Sequence, residues 1–167
     1  MLTHGLKTLK RVPAAMNLAL AFKAQDVALL SVEERSWRNT QYDFWLTQAS
    51  KHGYPPAKRM LAQLRIDAGD YSVAYQLLLT AANADDATAQ LLLGHNYLEG
   101  RWLPRNLKES ARWYERAAQA DDPYGLYFYG KCFEMGWGCT RSVAQAMEYY
   151  QRAAALGNQL AIRRLSP

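Results

Sequence analysis

The chain has 167 residues, half of them apolar, which is enough for one compact domain or a short repeat array with a sizeable core. Its 20 Lys and Arg residues against 15 Asp and Glu residues give a net charge of +5, without a run of five like charges. Such diffuse charge does not indicate a nucleic-acid partner. No stretch approaches the roughly 18–20 apolar residues that would span a bilayer.

The N-terminal segment, residues 1–22, places Lys7, Lys10 and Arg11 ahead of a short apolar stretch, as a secretory signal does. However, Asn17 interrupts the apolar stretch, and no convincing small-x-small cleavage site follows it. We therefore expect residues 1–39 to form an N-terminal helical cap in a cytoplasmic protein. An export signal, with a periplasmic location, is the alternative.

A 36-residue repeat organises the rest of the chain. Residues 113–118 read WYERAA, and residues 149–154 read YYQRAA. The same step joins Gly94 to Gly130, and an Ala-Ala pair at 81–82 stands one step before the first of these motifs. We predict a repeat array over residues 40–167, with a partial copy at 40–53, copies at 54–85, 86–121 and 122–157, and a half copy at 158–167 that caps it.

Residues that cap helix N-termini recur with the same period. One series is Asp70, Asn106 and Ser142, and the other is Asp86, Asp122 and Asn158. Their side-chain oxygens accept free backbone N–H groups of the first helical turn. Two series mean two helices in each copy, which predicts helix pairs near 56–68 and 70–83, 86–99 and 106–119, and 122–135 and 142–156.

A two-helix unit cannot bury its apolar face alone, so the copies must stack. The sequence thus predicts an all-α fold, an α-solenoid of stacked antiparallel helix pairs. Trp113 and Tyr114, with Tyr149 and Tyr150 one step later, are predicted to fill the space between copies, and small residues such as Gly94 let the helices approach closely.

These residues resemble the Sel-one-like repeats, close relatives of the tetratricopeptide repeats. Family copies run Ala-x-x-x-Leu-Gly-x-x-Tyr-x-x-Gly-x-Gly-Val and then Ala-x-x-Trp-Tyr-x-x-Ala-Ala. One copy matches at Ala89, Leu93, Gly94, Tyr97, Gly100, Trp113, Tyr114, Ala117 and Ala118. The next matches at Gly130, Gly136, Gly138, Ala146, Tyr149, Tyr150, Ala153 and Ala154. Trp102 replaces the second loop glycine and leaves the shape of the loop at 100–104 open.

Residues that would carry catalysis or bind a metal are few. His4, His52 and His95 lie far apart, and the sequence has no HExxH, CxxC or glycine-rich phosphate loop. The acidic pairs 85–86 and 121–122 stand at helix starts, which favours capping and helix-dipole roles over acid–base or metal-binding ones. His95 is interpreted as a polar residue on a helix surface, with a ligand role as the alternative. We expect no enzyme activity, no cofactor and no metal.

The two cysteines, Cys132 and Cys139, are seven residues apart. Buried free thiols are the favoured interpretation. A disulfide is the alternative, since some exported members of the family that the chain resembles carry paired cysteines.

In arrays of this type the first helix of each pair lines the concave side, so the resemblance implies a partner-binding surface there. Carried over by alignment, it consists of Arg59, Gln63, Ile66, Leu91, His95, Tyr124, Tyr127, Lys131 and Glu134. We therefore predict a non-enzymatic scaffold or adaptor for a protein or peptide partner. An envelope assembly or peptidoglycan-related binding factor is the second hypothesis, and an enzyme is the third.

Overall fold

The computed structural model describes residues 14–17, 19 and 31–166. Throughout these ranges the regular structure is α-helical and no strand occurs, so the predicted all-α class is confirmed. The hypotheses about residues 1–22 lie, apart from residues 14–17 and 19, outside the described residues. None of the described helices is both long and apolar enough to cross a membrane.

From residue 31 onward the helices are α1 (Val32–Lys51), α2 (Pro55–Asp67), α3 (Tyr71–Asn83), α4 (Ala87–Glu99), α5 (Leu107–Gln119), α6 (Pro123–Met135), α7 (Val143–Ala155) and α8 (Gln159–Leu165). The six predicted helices α2 to α7 agree with these bounds to within one residue.

Side-chain caps account for the agreement at the starts of α4 to α7. The side chains of Asp86, Asn106, Asp122, Ser142 and Asn158 each accept a hydrogen bond from a backbone N–H in the first turn of their helices. Because these donors have no partner inside the helix, a capping oxygen stabilises the helix start by about 1 kcal/mol. The predicted capping role of these residues is therefore confirmed.

The chain divides into two compact units, residues 1–81 and 82–167. In the first unit, α1 packs against α2 around a small core that includes Leu46, Ala49 and Leu61. The Arg65 guanidinium on α2 donates two hydrogen bonds, of 2.9 and 3.1 Å, to the Asp43 carboxylate on α1. Apolar burial and one ion pair thus join these two helices.

In the second unit each helix from α4 to α8 packs against the next one along the chain, and α4 also contacts α6. The rings of Tyr114 and Tyr150 are fully buried. A Cβ atom at Gly94 would lie 2.6 Å from the Tyr114 ring, and one at Gly130 would lie 2.9 Å from the Tyr150 ring. The predicted close approach of small and large residues is therefore present in both copies.

The loops 100–106 and 136–142 join the two helices of successive copies in the same way. The N–H of Asn106 donates to the Tyr97 carbonyl at 2.8 Å, and that of Ser142 donates to the Phe133 carbonyl at 2.9 Å. Both loops therefore close at the same two repeat positions.

The two loops differ at their third residue, which the resemblance left open. Gly138 has a φ of +69°, and a Cβ atom there would lie 2.2 Å from the Leu107 carbonyl oxygen. Trp102, its counterpart, does not take a positive φ. The backbone accommodates tryptophan by a different conformation at this one position while the closing hydrogen bonds are kept.

Candidate functional site

The predicted partner-binding surface falls on both units. Arg59, Gln63 and Ile66 lie on α2 in the first unit. Arg59 and Ile66 are half-buried, whereas Gln63 is exposed and its amide donates to Asp67 one turn later at 2.9 Å. The binding role of these three residues stays a prediction. The other six predicted residues lie in the second unit, where ring contacts and hydrogen bonds connect several of them.

On α4 and α6 the structure brings His95 and Tyr127 into one series of contacting aromatic rings. The His95 ring meets Phe128 edge to face with 4.5 Å between centroids, and Phe128 meets Tyr127 in the same way at 5.2 Å. Tyr127 in turn lies 5.5 Å from the Tyr150 ring. We call these four residues, His95, Phe128, Tyr127 and Tyr150, the ring row. All but Tyr150 are partly exposed.

His95 occupies the α4 end of the ring row. Its Nδ1 lies 2.7 Å from the hydroxyl of buried Tyr114, and the tautomer decides which of the two groups donates. Burial lowers the pKa of His95, and the negative charge of Glu99 opposes this with a smaller effect. The lowered pKa keeps the imidazole neutral at pH 7. His95 is thus a partly exposed residue of α4 whose ring is half-buried and hydrogen-bonded to the core.

Charged groups surround the other end of the ring row. The Tyr150 hydroxyl donates to Glu134 Oε2 at 2.7 Å, and Arg164 of α8 pairs with Glu134 Oε1. The hydrogen bonds from Arg164 and then Tyr150 lower the pKa of Glu134, so its carboxylate is ionised at neutral pH. Lys131 Nζ lies 5.6 Å from the centroid of the Trp137 ring, a cation–π contact.

The remaining predicted residues flank the ring row. Leu91 is half-buried and packs against the core cluster that contains Tyr114. Tyr124 lies one turn before Tyr127 on the same face of α6 and is 54% exposed. Six predicted residues of the second unit therefore lie on α4 and α6, and the structure connects Tyr127, His95 and Glu134 through ring contacts and hydrogen bonds.

The alignment missed Phe128, Trp137 and Arg164. Phe128 directly follows Tyr127, and a search for residues three or four apart excludes such a neighbour. Its aromatic character beside Tyr127 was the available signal. Arg164 lies 30 residues from Glu134 and belongs to the half copy, so no repeat spacing points to the pair.

The first residue of each acidic pair has a role that the sequence did not predict. Asp85 and Asp121 adopt left-handed backbone conformations, with φ of +59° and +52°. Their carboxylates pair with Arg116 at 3.6 Å and with Arg152 at 2.9 Å. Both guanidinium groups also lie over aromatic rings, those of Trp113 and Tyr149. These acidic residues thus tie consecutive copies together.

The two cysteines are free thiols, with Cys132 buried and Cys139 partly exposed. Burial raises the pKa of Cys132 to about 12, so this thiol is protonated and a poor nucleophile at neutral pH. Within the described residues, no group of three or more His, Cys, Asp and Glu side chains is placed to hold a metal ion.

Known proteins share this repeat. The Sel1 repeat profile matches residues 63–86, 87–122 and 123–158. An uncharacterized protein of Neisseria meningitidis serogroup B is 34% identical over 121 residues, which are 72% of this chain and 26% of that protein. The chitin synthase regulator SKT5 of Saccharomyces cerevisiae is 30% identical over an alignment of 173 positions, covering 97% of this chain and 25% of the regulator.

A third relative, the DAP3-binding cell death enhancer 1 of Rattus norvegicus, is 32% identical over 92 residues, covering 55% of this chain and 18% of that protein. The chain therefore spans about a quarter or less of the length of these relatives.

Two solved structures are also similar. The Sel1 repeat protein of Oxalobacter formigenes has a TM-score of 0.66 at 34% identity, covering 72% of this chain and 93% of that one. A protective antigen of uropathogenic Escherichia coli strains has a TM-score of 0.77 at 28% identity, covering 92% of this chain and 32% of that one. The three matches to the Sel1 repeat profile are successive and together cover more than half of this chain, so the chain belongs to the Sel1 repeat family.

Proposed function

We propose that the chain is a non-enzymatic scaffold that binds a protein or peptide partner through the α4–α6 face of its second unit. The observation that carries the proposal is the ring row, whose partly exposed rings run from His95 to Tyr127 with Lys131 and the Glu134–Arg164 pair beside them. The predicted residues on α2 belong to the first unit, and their binding role is a separate proposal.

Such a surface has the chemistry of a binding hot spot. Aromatic and arginine side chains contribute most of the binding energy when an interface buries them. Phe128 and Tyr127 already pack against neighbouring rings, so they lose little side-chain entropy when a partner covers them. The ionised Glu134 and Lys131 add groups that can orient a polar partner.

One relative supports a binding role by its name, since the DAP3-binding cell death enhancer 1 is named for binding DAP3. Its similarity to this chain covers 18% of that protein, so the support is an analogy between repeat surfaces. The same proposal assigns no catalytic step to the chain. Two observations support it: burial raises the pKa of Cys132, so this thiol is not an activated nucleophile, and the Nδ1 atom of half-buried His95 is engaged by the Tyr114 hydroxyl.

The test is a pull-down with the intact chain, followed by titration of each variant against the captured partner. Tyr127→Ala should weaken binding by more than about 1 kcal/mol, because it removes the central ring of the row. Lys131→Glu should weaken binding without removing a core side chain. Gln63→Ala probes the first unit separately.

Lys108→Glu is the matched control, because Lys108 is an exposed lysine on α5 outside the proposed face. Circular dichroism and thermal unfolding verify that each variant is folded. Wild-type affinity in both Tyr127→Ala and Lys131→Glu would show that the partner binds elsewhere.

A further inference from the structure

A cavity of about 120 Å³ opens between α5, α6 and α7, and none of the ring-row residues lines it. Its walls are Glu115, Ala118 and Gln119 of α5, Tyr129 of α6, and Tyr149 and Arg152 of α7. The volume is several times the roughly 30 Å³ that one water molecule occupies in the liquid, so the cavity has room for a few non-hydrogen atoms of a ligand.

The Arg152 guanidinium already has a carboxylate partner at the protein surface. Its guanidinium donates to Asp121 at 2.9 Å and lies 5.5 Å from the centroid of the Tyr149 ring. Arg152 is therefore part of the structural pairing between copies, and it does not leave a free positive charge in the cavity.

The carboxylate of Glu115 has no such balance. One of its oxygens accepts a hydrogen bond of 3.0 Å from the Tyr129 hydroxyl. None of the ion pairs among the described residues includes Glu115. Burial, then the hydrogen bond to Glu115, raises the pKa of Tyr129, so its hydroxyl remains a donor at neutral pH. Glu115 and Arg152 are the charged residues that line the cavity, and together with Asp121, the partner of Arg152, they sum to one net negative charge.

The preceding copy shows that the fold does not require this polar pair. One 36-residue step earlier, Arg116 pairs with Asp85 and lies over the Trp113 ring, as Arg152 does with Asp121 and Tyr149. The positions of Glu115 and Tyr129 are instead occupied by Leu79 and Leu93. The repeat therefore keeps the Arg–ring–Asp arrangement and accepts leucine where the later copy has a carboxylate and a phenol.

We propose that this cavity binds the cationic end of a lysine or arginine side chain of a peptide, with Glu115 as its counter-ion and the rings of Tyr129 and Tyr149 as its walls. The two rings meet edge to face with 4.9 Å between centroids. An ammonium or guanidinium group in the cavity can donate charge-assisted hydrogen bonds to the Glu115 carboxylate and lie against the Tyr129 ring, whose π electrons attract a cation. The site is independent of the ring row.

The test is an NMR titration of the intact ¹⁵N-labelled chain with capped Gly-Lys-Gly and Gly-Arg-Gly peptides. Both should shift the amide signals around residues 115–119 and 149–152. A capped peptide with norleucine, which is lysine without its ε-amino group, should bind at least about tenfold more weakly, because it lacks the charge. Raising the salt concentration should weaken binding of the charged peptides, because it screens the carboxylate.

Two substitutions at Glu115 separate charge from shape. Glu115→Gln keeps the shape and should weaken binding of the Lys and Arg peptides by about tenfold or more. Glu115→Leu restores the residue type of the preceding copy, so it should fold normally and bind neither peptide. Glu109→Gln is the matched control on the same helix and should bind like the wild type.

Several outcomes would overturn the proposal. Equal binding of the norleucine peptide would show that the cavity is an apolar site. Wild-type affinity in Glu115→Gln would show that Glu115 is not the counter-ion. The absence of shifts near the cavity with either charged peptide would remove the site. Butylammonium that binds as tightly as the Lys peptide would uphold the cation chemistry and overturn the assignment to a peptide side chain.

Discussion

The copies α4–α5 and α6–α7 share one scaffold and differ in how they satisfy the same buried phenol. In the first, the Tyr114 hydroxyl meets His95, and in the second the Tyr150 hydroxyl donates to Glu134, both at 2.7 Å. A buried hydroxyl needs a hydrogen-bond partner, but the partner's position is free. His95 and Glu134 are not related by the 36-residue step, since 36 residues after His95 stands Lys131.

This difference shows that the repeat fixes the buried tyrosine ring. The residue that forms a hydrogen bond with its hydroxyl differs between copies and lies near the surface. The ring fills a space that every copy has, against a backbone with no Cβ atom at Gly94 or Gly130. The partner instead comes from a half-exposed position, where a change costs little packing. Consecutive copies can therefore carry different chemistry on one face while they share the same pattern of helix caps and loop-closing hydrogen bonds.

The largest expected effect breaks the scaffold itself. Trp113→Ala should lower the free energy of unfolding by roughly 3–5 kcal/mol, because it removes a large buried ring. Tyr149→Ala, at the equivalent place one copy later, should cost less because that ring is partly exposed. Urea denaturation measures both. Arg101→Ala, in an exposed loop, should stay within about 0.5 kcal/mol of the wild type, and a similar midpoint for Trp113→Ala would refute the packing role.

The next largest effect concerns the two glycines, Gly94 and Gly130, that lie against buried tyrosine rings. Gly94→Ala should destabilise the chain by about 1–3 kcal/mol, because its methyl group meets the buried Tyr114 ring at 2.6 Å. Gly130→Ala should cost less, since the corresponding distance is 2.9 Å. Alanine's higher helix propensity offsets part of either cost. A stabilised Gly94→Ala variant in thermal unfolding would show that the Tyr114 ring moves aside freely.

The two phenol partners should lose their contributions in different pH ranges. Burial holds the folded pKa of His95 below its ordinary value of 6.5, so the unfolded chain binds this proton first as the pH falls. Stability linked to His95 is therefore present above about pH 6.5 and is lost as the pH falls from there through the lowered folded pKa. Unfolding by urea between pH 5 and 8 measures this, and His95→Gln should flatten that part of the profile.

Glu134 should act at lower pH. Its folded pKa is lowered below 4.5 by the hydrogen bonds from Arg164 and Tyr150. Its stabilisation is thus present above about pH 4.5 and is lost as the pH falls through the folded pKa. Glu134→Gln should change the profile only in this range, and added salt should reduce the effect because Arg164, the partner of Glu134, is exposed. Identical pH ranges for the two variants would contradict the distinction between the copies.

The smallest expected effect concerns a hydrogen bond that both copies share in their loops. Arg105 Nε donates to the Leu98 carbonyl at 3.1 Å, and Arg141 Nε donates to the Glu134 carbonyl at 2.9 Å, one repeat later. Arg105→Ala and Arg141→Ala should each cost about 0.5–1 kcal/mol, the net value of one exposed hydrogen bond. Calorimetric unfolding should give nearly equal losses, and a difference above about 1 kcal/mol would show that the two loops are not equivalent.

Much of the fold follows from the order of the residues alone. The 36-residue period and the two capping series predicted α2 to α7 to within one residue. Capping and helix periodicity are local effects, since Asn106 caps the N–H groups of Lys108 and Glu109 two and three residues away. The burial of Trp113, Tyr114 and Tyr150 likewise followed from the need of each copy to cover its neighbour.

Only the tertiary structure decided which side chains meet between helices. Asp121 reaches Arg152 across 31 residues, Glu134 reaches Arg164 across 30, and Phe128 joins His95 to Tyr127. The cavity beside Glu115 likewise forms where α5, α6 and α7 converge. These contacts depend on the rotation of each helix about its axis and on the rotamer of each side chain. Neither is determined by the spacing of residues along the chain, because the same apolar pattern permits several side chains to face a given neighbour.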